Sequence, residues 1–427
     1  MSILRTKKSI LRGSVAMPGS KSHTIRSLAI ASLAGGTSEI LAPLDSADTR
    51  AAVDCYRQLG AEIECGSTWR VKGTAGRPEP PDDVIDVANS GTTLRVALGS
   101  AALLTEGAAV FTGDHQIRNR PQGPLLKSLN DLGASCLCTR GNDKTPIVVQ
   151  GLLKGGQTSI TSVTSQYLTA LLLNTPLAEQ DSVIDVTELN EQPYVQITLN
   201  YLDEQGITYN NDGMNRFVIQ GKQQYRAFQK QIPADFSSAT FFFCAGAILD
   251  AEIVLPGLDF TDAQGDKAVV DILKAMGAEI TTQGDLTTVR RRELKGMEID
   301  MNAIPDALPS LAVVACFAQG QTKLCNVPQA RFKETDRIAV MAAELGKLGA
   351  KITELADGMI IEPAPLHAAS LNGHGDHRVV MSLSLAGMAL DGPITIDTAE
   401  AIQVTFPGYI KLMQQLGGQL SLADSPK

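Results

Sequence analysis

Arg337-Ile338-Ala339-Val340-Met341-Ala342-Ala343-Glu344-Leu345-Gly346-Lys347-Leu348-Gly349-Ala350-Lys351-Ile352 reads as an amphipathic helix, a glycine that ends it and the start of a strand. The pattern predicts a helix over 337–348, with Gly349 as the left-handed C-cap and Ala350-Lys351-Ile352 as the β-type run. The same signature recurs as Leu59-Gly60-Ala61, Leu132-Gly133-Ala134, Gln205-Gly206-Ile207, Met276-Gly277-Ala278 and Leu416-Gly417-Gly418. In chain order the six glycines step by 73, 73, 71, 72 and 68 residues. One α/β supersecondary unit is therefore written six times, and a compact layered α/β fold is expected. The period exceeds the roughly 20–50 residues of solenoid repeats.

Each unit carries a second helix that is apolar nearly all round and therefore buried. These helices open at Ser22-His23-Thr24, Ser90-Gly91-Thr92, Ser165-Gln166-Tyr167, Ser237-Ser238-Ala239, Pro305-Asp306-Ala307 and Asp376-His377-Arg378. If their N-termini face one region, each brings about half a positive charge there and together they form an anion trap. The competing reading is that Ser and Asp are simply good N-caps.

The chain has 427 residues, more than one core accommodates comfortably, and six units divide into three and three. Boundaries are expected at Pro18-Gly19-Ser20 and Gln231-Ile232-Pro233-Ala234-Asp235, giving one domain over 20–234 and a discontinuous one over 1–19 plus 235–427. Two crossings would then act as a hinge. The net charge of −9 argues against nucleic-acid or membrane-surface partners. Met1–Ser9 lacks an apolar core, so no secretory signal is expected, and Phe241–Leu249 is too short to span a bilayer. Seven cysteines without metal-type spacing read as free thiols in a reducing cytoplasm. No metal site is expected.

Cations gather at the unit openings despite the acidic background: Lys21 and Arg26, Arg95, Arg118 and Arg120, Lys333 and Arg337, His377 and Arg378. Placed near helix N-termini they oppose the dipole, a conflict that a bound polyanion resolves. Asp306 and Glu334 are the acid–base candidates. Their alternative roles are N-cap for Asp306 and an i,i+3 ion pair with Arg337 for Glu334.

Pro18-Gly19-Ser20-Lys21-Ser22 with Arg26, Asn89-Ser90-Gly91-Thr92-Thr93 with Arg95, and Arg120-Pro121 resemble the 5-enolpyruvylshikimate-3-phosphate synthases. So do Ser165-Gln166, Pro193-Tyr194, Pro305-Asp306, Lys333-Glu334-Thr335-Asp336-Arg337, Asp376-His377-Arg378 and Thr405-Phe406-Pro407. The match is in order and runs the whole length. The resemblance implies two globular domains, each of three repeated βαβαββ-type units in an inside-out α/β barrel-like arrangement, closing as a clamp on small anionic substrates. It implies transfer of the enolpyruvyl group of phosphoenolpyruvate to the 5-hydroxyl of shikimate 3-phosphate, in the shikimate pathway of aromatic amino-acid biosynthesis. No cofactor is needed, and a cytoplasmic monomer is expected.

Carried over by position, Lys21, Arg120 and Gln166 would hold the donor phosphate, Gly91 would line its pocket, and Arg337 and Arg378 would hold the donor carboxylate. Asp306 would orient or deprotonate the acceptor hydroxyl, Glu334 would shuttle the proton at C3, and Lys21 would assist catalysis. Ser22 and Arg26 would bind the acceptor carboxylate and Thr164 and Ser165 its phosphate, with Gln166, Tyr194 and Lys333 nearby. Gly91 would also leave room for the herbicide glyphosate. The loop 112–120 lacks the cysteine usual in the related UDP-N-acetylglucosamine enolpyruvyl transferases.

Two positions depart from the pattern. Glu191 stands where the family commonly has a serine that helps hold the acceptor phosphate. No second donor-side cation precedes Phe406-Pro407, and Glu400 lies near the expected place. An enolpyruvyl transferase with another alcohol acceptor is the alternative these departures raise.

Overall fold

The computed structural model describes residues 2–424. Twelve α-helices fall into six pairs: α1 (Lys21–Leu33) and α2 (Ala47–Gln58), α3 (Gly91–Ala101) and α4 (Gly123–Asp131), α5 (Ser165–Asn174) and α6 (Gln192–Glu204), α7 (Phe236–Ile248) and α8 (Ala268–Met276), α9 (Leu308–Ala315) and α10 (Arg337–Lys347), α11 (His377–Ala389) and α12 (Tyr409–Gln415). The first helix of each pair is almost wholly buried, in keeping with apolar residues that run nearly all round it. In α2, α4, α6, α8 and α10 one apolar stripe faces inward. The repeated glycine follows the second helix every time, with φ between +69° at Gly206 and +115° at Gly277. A side chain at Gly277 would also put its Cβ 2.6 Å from the Glu293 carbonyl oxygen, so that position admits only glycine.

The chain forms two compact units, Gly19–Ile232 and Met1–Pro18 with Pro233–Lys427. In the continuous unit Thr37–Leu41 pairs in parallel with Gln229–Gln231 and antiparallel with Thr68–Lys72, which pairs antiparallel with Glu62–Glu64. The same four-strand order recurs twice more there, with Ile85–Asp86 and Gly156–Ser162 as the parallel edge strands. Gln229–Gln231 comes last in this unit yet completes its first sheet, so the three repeats close on themselves.

The discontinuous unit repeats the scheme around a single cluster of buried apolar side chains running from Leu4 to Leu420. Ile10–Ser14 provides the parallel edge strand beside Asp250–Pro256. Ser2–Lys7, in a stretch read from sequence only as a mildly basic start, is a strand between Ile394–Ile396 and Gln419–Asp424. Its buried positions alternate at Leu4 and Thr6, a pattern too short to stand out in the sequence.

Candidate active site

In the continuous unit Ser20, Ser90 and Thr164 precede α1, α3 and α5 without capping them through their side chains, and Ser22 and Ser165, the openers read from sequence, lie inside the first turn. The simple N-cap reading therefore fails for all three. In the other unit it holds at Asp376, which accepts from the Arg378 backbone N–H at 2.9 Å; at α7 the cap is Asp235, two residues before the expected Ser237, and it accepts from the Ser238 backbone N–H at 2.9 Å.

Gly91, the first residue of α3, lies against two guanidinium groups. A Cβ built there would stand 2.7 Å from Arg120 Nη1, 2.9 Å from Arg95 Nη1 and 3.7 Å from Gln166 Oε1. Arg95 and Arg120 are both buried. Arg95 donates through Nη1 to Gln166 Oε1 and through Nε to Gln122 Oε1 at 3.1 Å, and it lies 5.4 Å from the centre of the Tyr167 ring. Two like charges brought to one helix N-terminus repel each other and the dipole alike, so the cluster is built to be neutralised by an anion. The Arg120 segment is set by Asp114, which accepts from the backbone N–H groups of Gln116 and Ile117 and from Asn89 Nδ2.

Lys21, at the start of α1, donates to Asp48 Oδ2 at 3.0 Å. Ser22 is half-buried beside it, and its carbonyl accepts from Arg26 at 3.0 Å. Arg26 is only 1 % exposed and also donates to Thr198 Oγ1, Thr169 Oγ1 and the Tyr194 carbonyl, tying α1 to α5 and α6. Burial lowers its pKa to about 10, while Tyr201, Tyr194 and Glu191 work to raise it; it remains a cation at neutral pH. Tyr194 is half-buried in the first turn of α6.

Glu191 does not face solvent. It is 2 % exposed, has a left-handed backbone (φ +60°), and its Oε2 accepts from Ser165 Oγ at 2.7 Å, the Ser165 backbone N–H at 3.1 Å and Thr164 Oγ1 at 3.2 Å. Glu400, the other departure, accepts from the Ser2 backbone N–H at 2.7 Å and is exposed.

In the discontinuous unit the site centres on Arg337, 1 % exposed at the start of α10. Its Nε donates to Asp376 Oδ2 at 2.8 Å, Nη1 to Asp306 Oδ1 at 2.8 Å, and Nη2 to Glu334 Oε2 at 2.5 Å and Asp376 Oδ1 at 3.2 Å. These bonds use four of its five N–H groups. Arg378 Nη2 lies 3.2 Å from Asp306 Oδ2 and donates to Ser237 Oγ at 2.6 Å, while Lys333 Nζ lies 3.7 Å from Asp306 Oδ1. Three carboxylates thus face three cations. The sequence expected Arg337 and Arg378 to meet a substrate carboxylate; here both already hold protein carboxylates.

Asp306 is not an N-cap. It sits inside the 3-10 turn Pro305–Ala307 that precedes α9, which leaves its carboxylate to the cations. Burial alone would raise its pKa, but Arg378, Lys333 and Arg337 together hold it well below the usual carboxylate range. Burial likewise opposes ionisation of Asp376, and Arg337 reverses the shift to a lowered value. Glu334 makes the expected i,i+3 pair, but with an arginine that two other carboxylates share.

Sequence reasoning missed Asp48, Gln122 and Ser237, the partners of Lys21, Arg95 and Arg378. The nearest of them in sequence is 27 residues away from its partner, and no local pattern marks it. Among the described residues no group of three or more His, Cys, Asp or Glu is placed to hold a metal ion, and no helix is long and apolar enough to cross a membrane.

Six repeated α/β units, two buried guanidiniums at the opening of one helix and a cluster of three carboxylates with three cations are the features of an enzyme that handles small anions. The profile of the EPSP synthase (3-phosphoshikimate 1-carboxyvinyltransferase) family matches residues 5–413, and the chain belongs to that family. A 3-phosphoshikimate 1-carboxyvinyltransferase of Ruminiclostridium cellulolyticum is 52 % identical over 420 residues, covering 98 % of this chain and 99 % of its own. One from Acetivibrio thermocellus is 54 % identical over 423 residues, covering 99 % and 100 %. The solved structure of an EPSP synthase from Acinetobacter baumannii superposes with a TM-score of 0.84 at 27 % identity, over 99 % of this chain and 100 % of that one.

Proposed function

We propose that this chain transfers the enolpyruvyl group of phosphoenolpyruvate to the 5-hydroxyl of shikimate 3-phosphate and releases phosphate. The observation that carries the reading is the convergence of Arg120 and Arg95 on Gly91, with Gln166 beside them, at the opening of α3. That cluster, with Lys21, suits the donor phosphate both when bound and when it leaves with its full charge.

Arg337 and Arg378 take the donor carboxylate. The incoming carboxylate competes with Asp306 for their N–H groups, so the hold on Asp306 weakens and its proton affinity rises. Asp306 then accepts the proton of the acceptor hydroxyl as its oxygen adds to C2, and Glu334, protonated once the donor carboxylate has taken over its arginine, delivers that proton to C3. The tetrahedral intermediate expels phosphate, which carries away the proton held by Asp306, and Glu334 takes a proton back from C3 to form the new double bond. Ser22 and Arg26 serve the acceptor carboxylate, and Tyr194 and Lys333 the rest of the acceptor. The reaction draws on no cofactor. The seven free cysteines suit a cytoplasmic setting.

The test is incubation with phosphoenolpyruvate and each acceptor alcohol while phosphate is measured. Release that depends on both substrates, with an enolpyruvyl ether as product, supports the reading. Saturating substrates without release reject it.

A further inference from the structure

The opening of α5 has the donors of an anion site: one backbone N–H and two hydroxyls, those of Thr164 and Ser165, converge on a single point. Arg26 lies close enough for Glu191 to influence its charge. In this chain the point is already occupied by Glu191 Oε2. The occupant is no accident of a mobile surface side chain, because Glu191 is 2 % exposed and held in a left-handed backbone conformation at the start of α6. The family resemblance implies that Thr164 and Ser165 meet the acceptor phosphate. A phosphate and a carboxylate cannot share three donors, and their charges repel strongly at contact distance.

We propose that Glu191 determines acceptor specificity: its carboxylate fills the phosphate subsite, so that the enzyme also transfers the enolpyruvyl group to an unphosphorylated acceptor alcohol. The inference rests on the enolpyruvyl-transfer reading and sharpens its acceptor class. The Glu191 carboxylate stands in for the missing phosphate by satisfying the α5 donors. The acceptor keeps its carboxylate for Ser22 and Arg26 and its hydroxyl for Asp306. The chemistry balances as before: the acceptor oxygen bonds to C2, its proton passes to Asp306, C3 gains and then loses one proton, and the C2–O bond to phosphate breaks with release of inorganic phosphate. The phosphorylated acceptor binds only once Glu191 has left its three donors.

The experiment compares shikimate with shikimate 3-phosphate, at saturating phosphoenolpyruvate, in the wild type, Glu191→Ser and Glu191→Gln. Glu191→Ser is expected to raise the ratio of kcat/KM for the phosphorylated over the unphosphorylated acceptor at least tenfold, mainly through a lower KM for shikimate 3-phosphate. Glu191→Gln removes the charge without shortening the side chain and should move the ratio the same way by less. It also keeps the test open should the serine variant fold poorly. Calorimetric binding of shikimate 3-phosphate should tighten in the same order. Turnover with a ratio within threefold of wild type in both variants would overturn the role of Glu191 and leave the reaction standing. No phosphate release from any of the three proteins with either acceptor would instead overturn the reaction itself and the inference with it.

Discussion

Gly91→Ala tests the donor cluster directly. The new Cβ would sit 2.7 Å from Arg120 Nη1 and 2.9 Å from Arg95 Nη1, so both head groups must retreat. A normal carbon–nitrogen contact near 3.5 Å requires shifts of about 0.6–0.8 Å. If each guanidinium stands about 4 Å from the phosphate centre, retreat to about 4.7 Å costs about 0.6 kcal/mol per charge pair at an effective dielectric near 20. Two arginines against a phosphate of nearly two charges then lose about 2 kcal/mol, roughly thirtyfold in KM for phosphoenolpyruvate. Stability should move the other way. The residue opens a helix at an ordinary backbone conformation, where exchanging glycine for alanine gains about 0.4–1 kcal/mol. Steady-state phosphate release at varied phosphoenolpyruvate, beside a thermal melt, reads both effects. A stable variant whose donor KM stays within twofold of wild type would show that the two guanidiniums do not hold the donor.

Asp306→Asn should lower kcat by about a hundredfold to ten-thousandfold, the usual span for losing a general base, with far-ultraviolet dichroism unchanged; a loss below tenfold would remove Asp306 from the chemistry. Because Asp306 and Asp376 are held below the usual carboxylate range, their contribution to stability is present above the unfolded value near 3.9 and is lost as pH falls below it. Urea unfolding at successive pH values should therefore show a shallower acid loss in Asp306→Asn than in wild type, and parallel slopes would refute that assignment. Glyphosate should inhibit competitively with phosphoenolpyruvate and more weakly in Gly91→Ala; full resistance of the wild type would count against the donor pocket. Gly277→Ala, forced to φ +115° against the Glu293 carbonyl, should cost about 1–3 kcal/mol of stability with KM values unchanged, as read by melting temperature.

The sixfold repeat was legible because it rests on local chemistry. A helix that must end needs a residue tolerant of positive φ, and glycine marks each such place; all six have it. The buried helices were legible because apolar residues run nearly all round them, even where a single arginine, serine or threonine intervenes. Charge partners were another matter. Arg337 has partners 3, 31 and 39 residues away, and only Glu334 lies within reach of a helical spacing rule. The sequence consequently showed cations gathered at unit openings, but not that those around Asp306 come already neutralised. Glu191 was legible as an anomaly and not as a placement, since its direction depends on a single left-handed residue that composition does not announce.

The capping pattern separates the two units by what their helix openings are for. Asp235 and Asp376 satisfy the openings of α7 and α11 from within the chain, and the arginines beside Asp376 are matched by carboxylates. Such a neutral network costs little by itself, and on the proposed mechanism a substrate carboxylate would enter it by exchange and so free Asp306 to act. The openings of α1, α3 and α5 carry no such caps. At α3 the arginines add to the dipole instead of cancelling it, which favours an anion there. At α5 the relief comes from Glu191, whose carboxylate accepts from the Ser165 backbone N–H and from the Thr164 and Ser165 hydroxyls. Affinity for a donor phosphate should accordingly be concentrated at α3, while the α5 opening should govern which acceptor the enzyme takes.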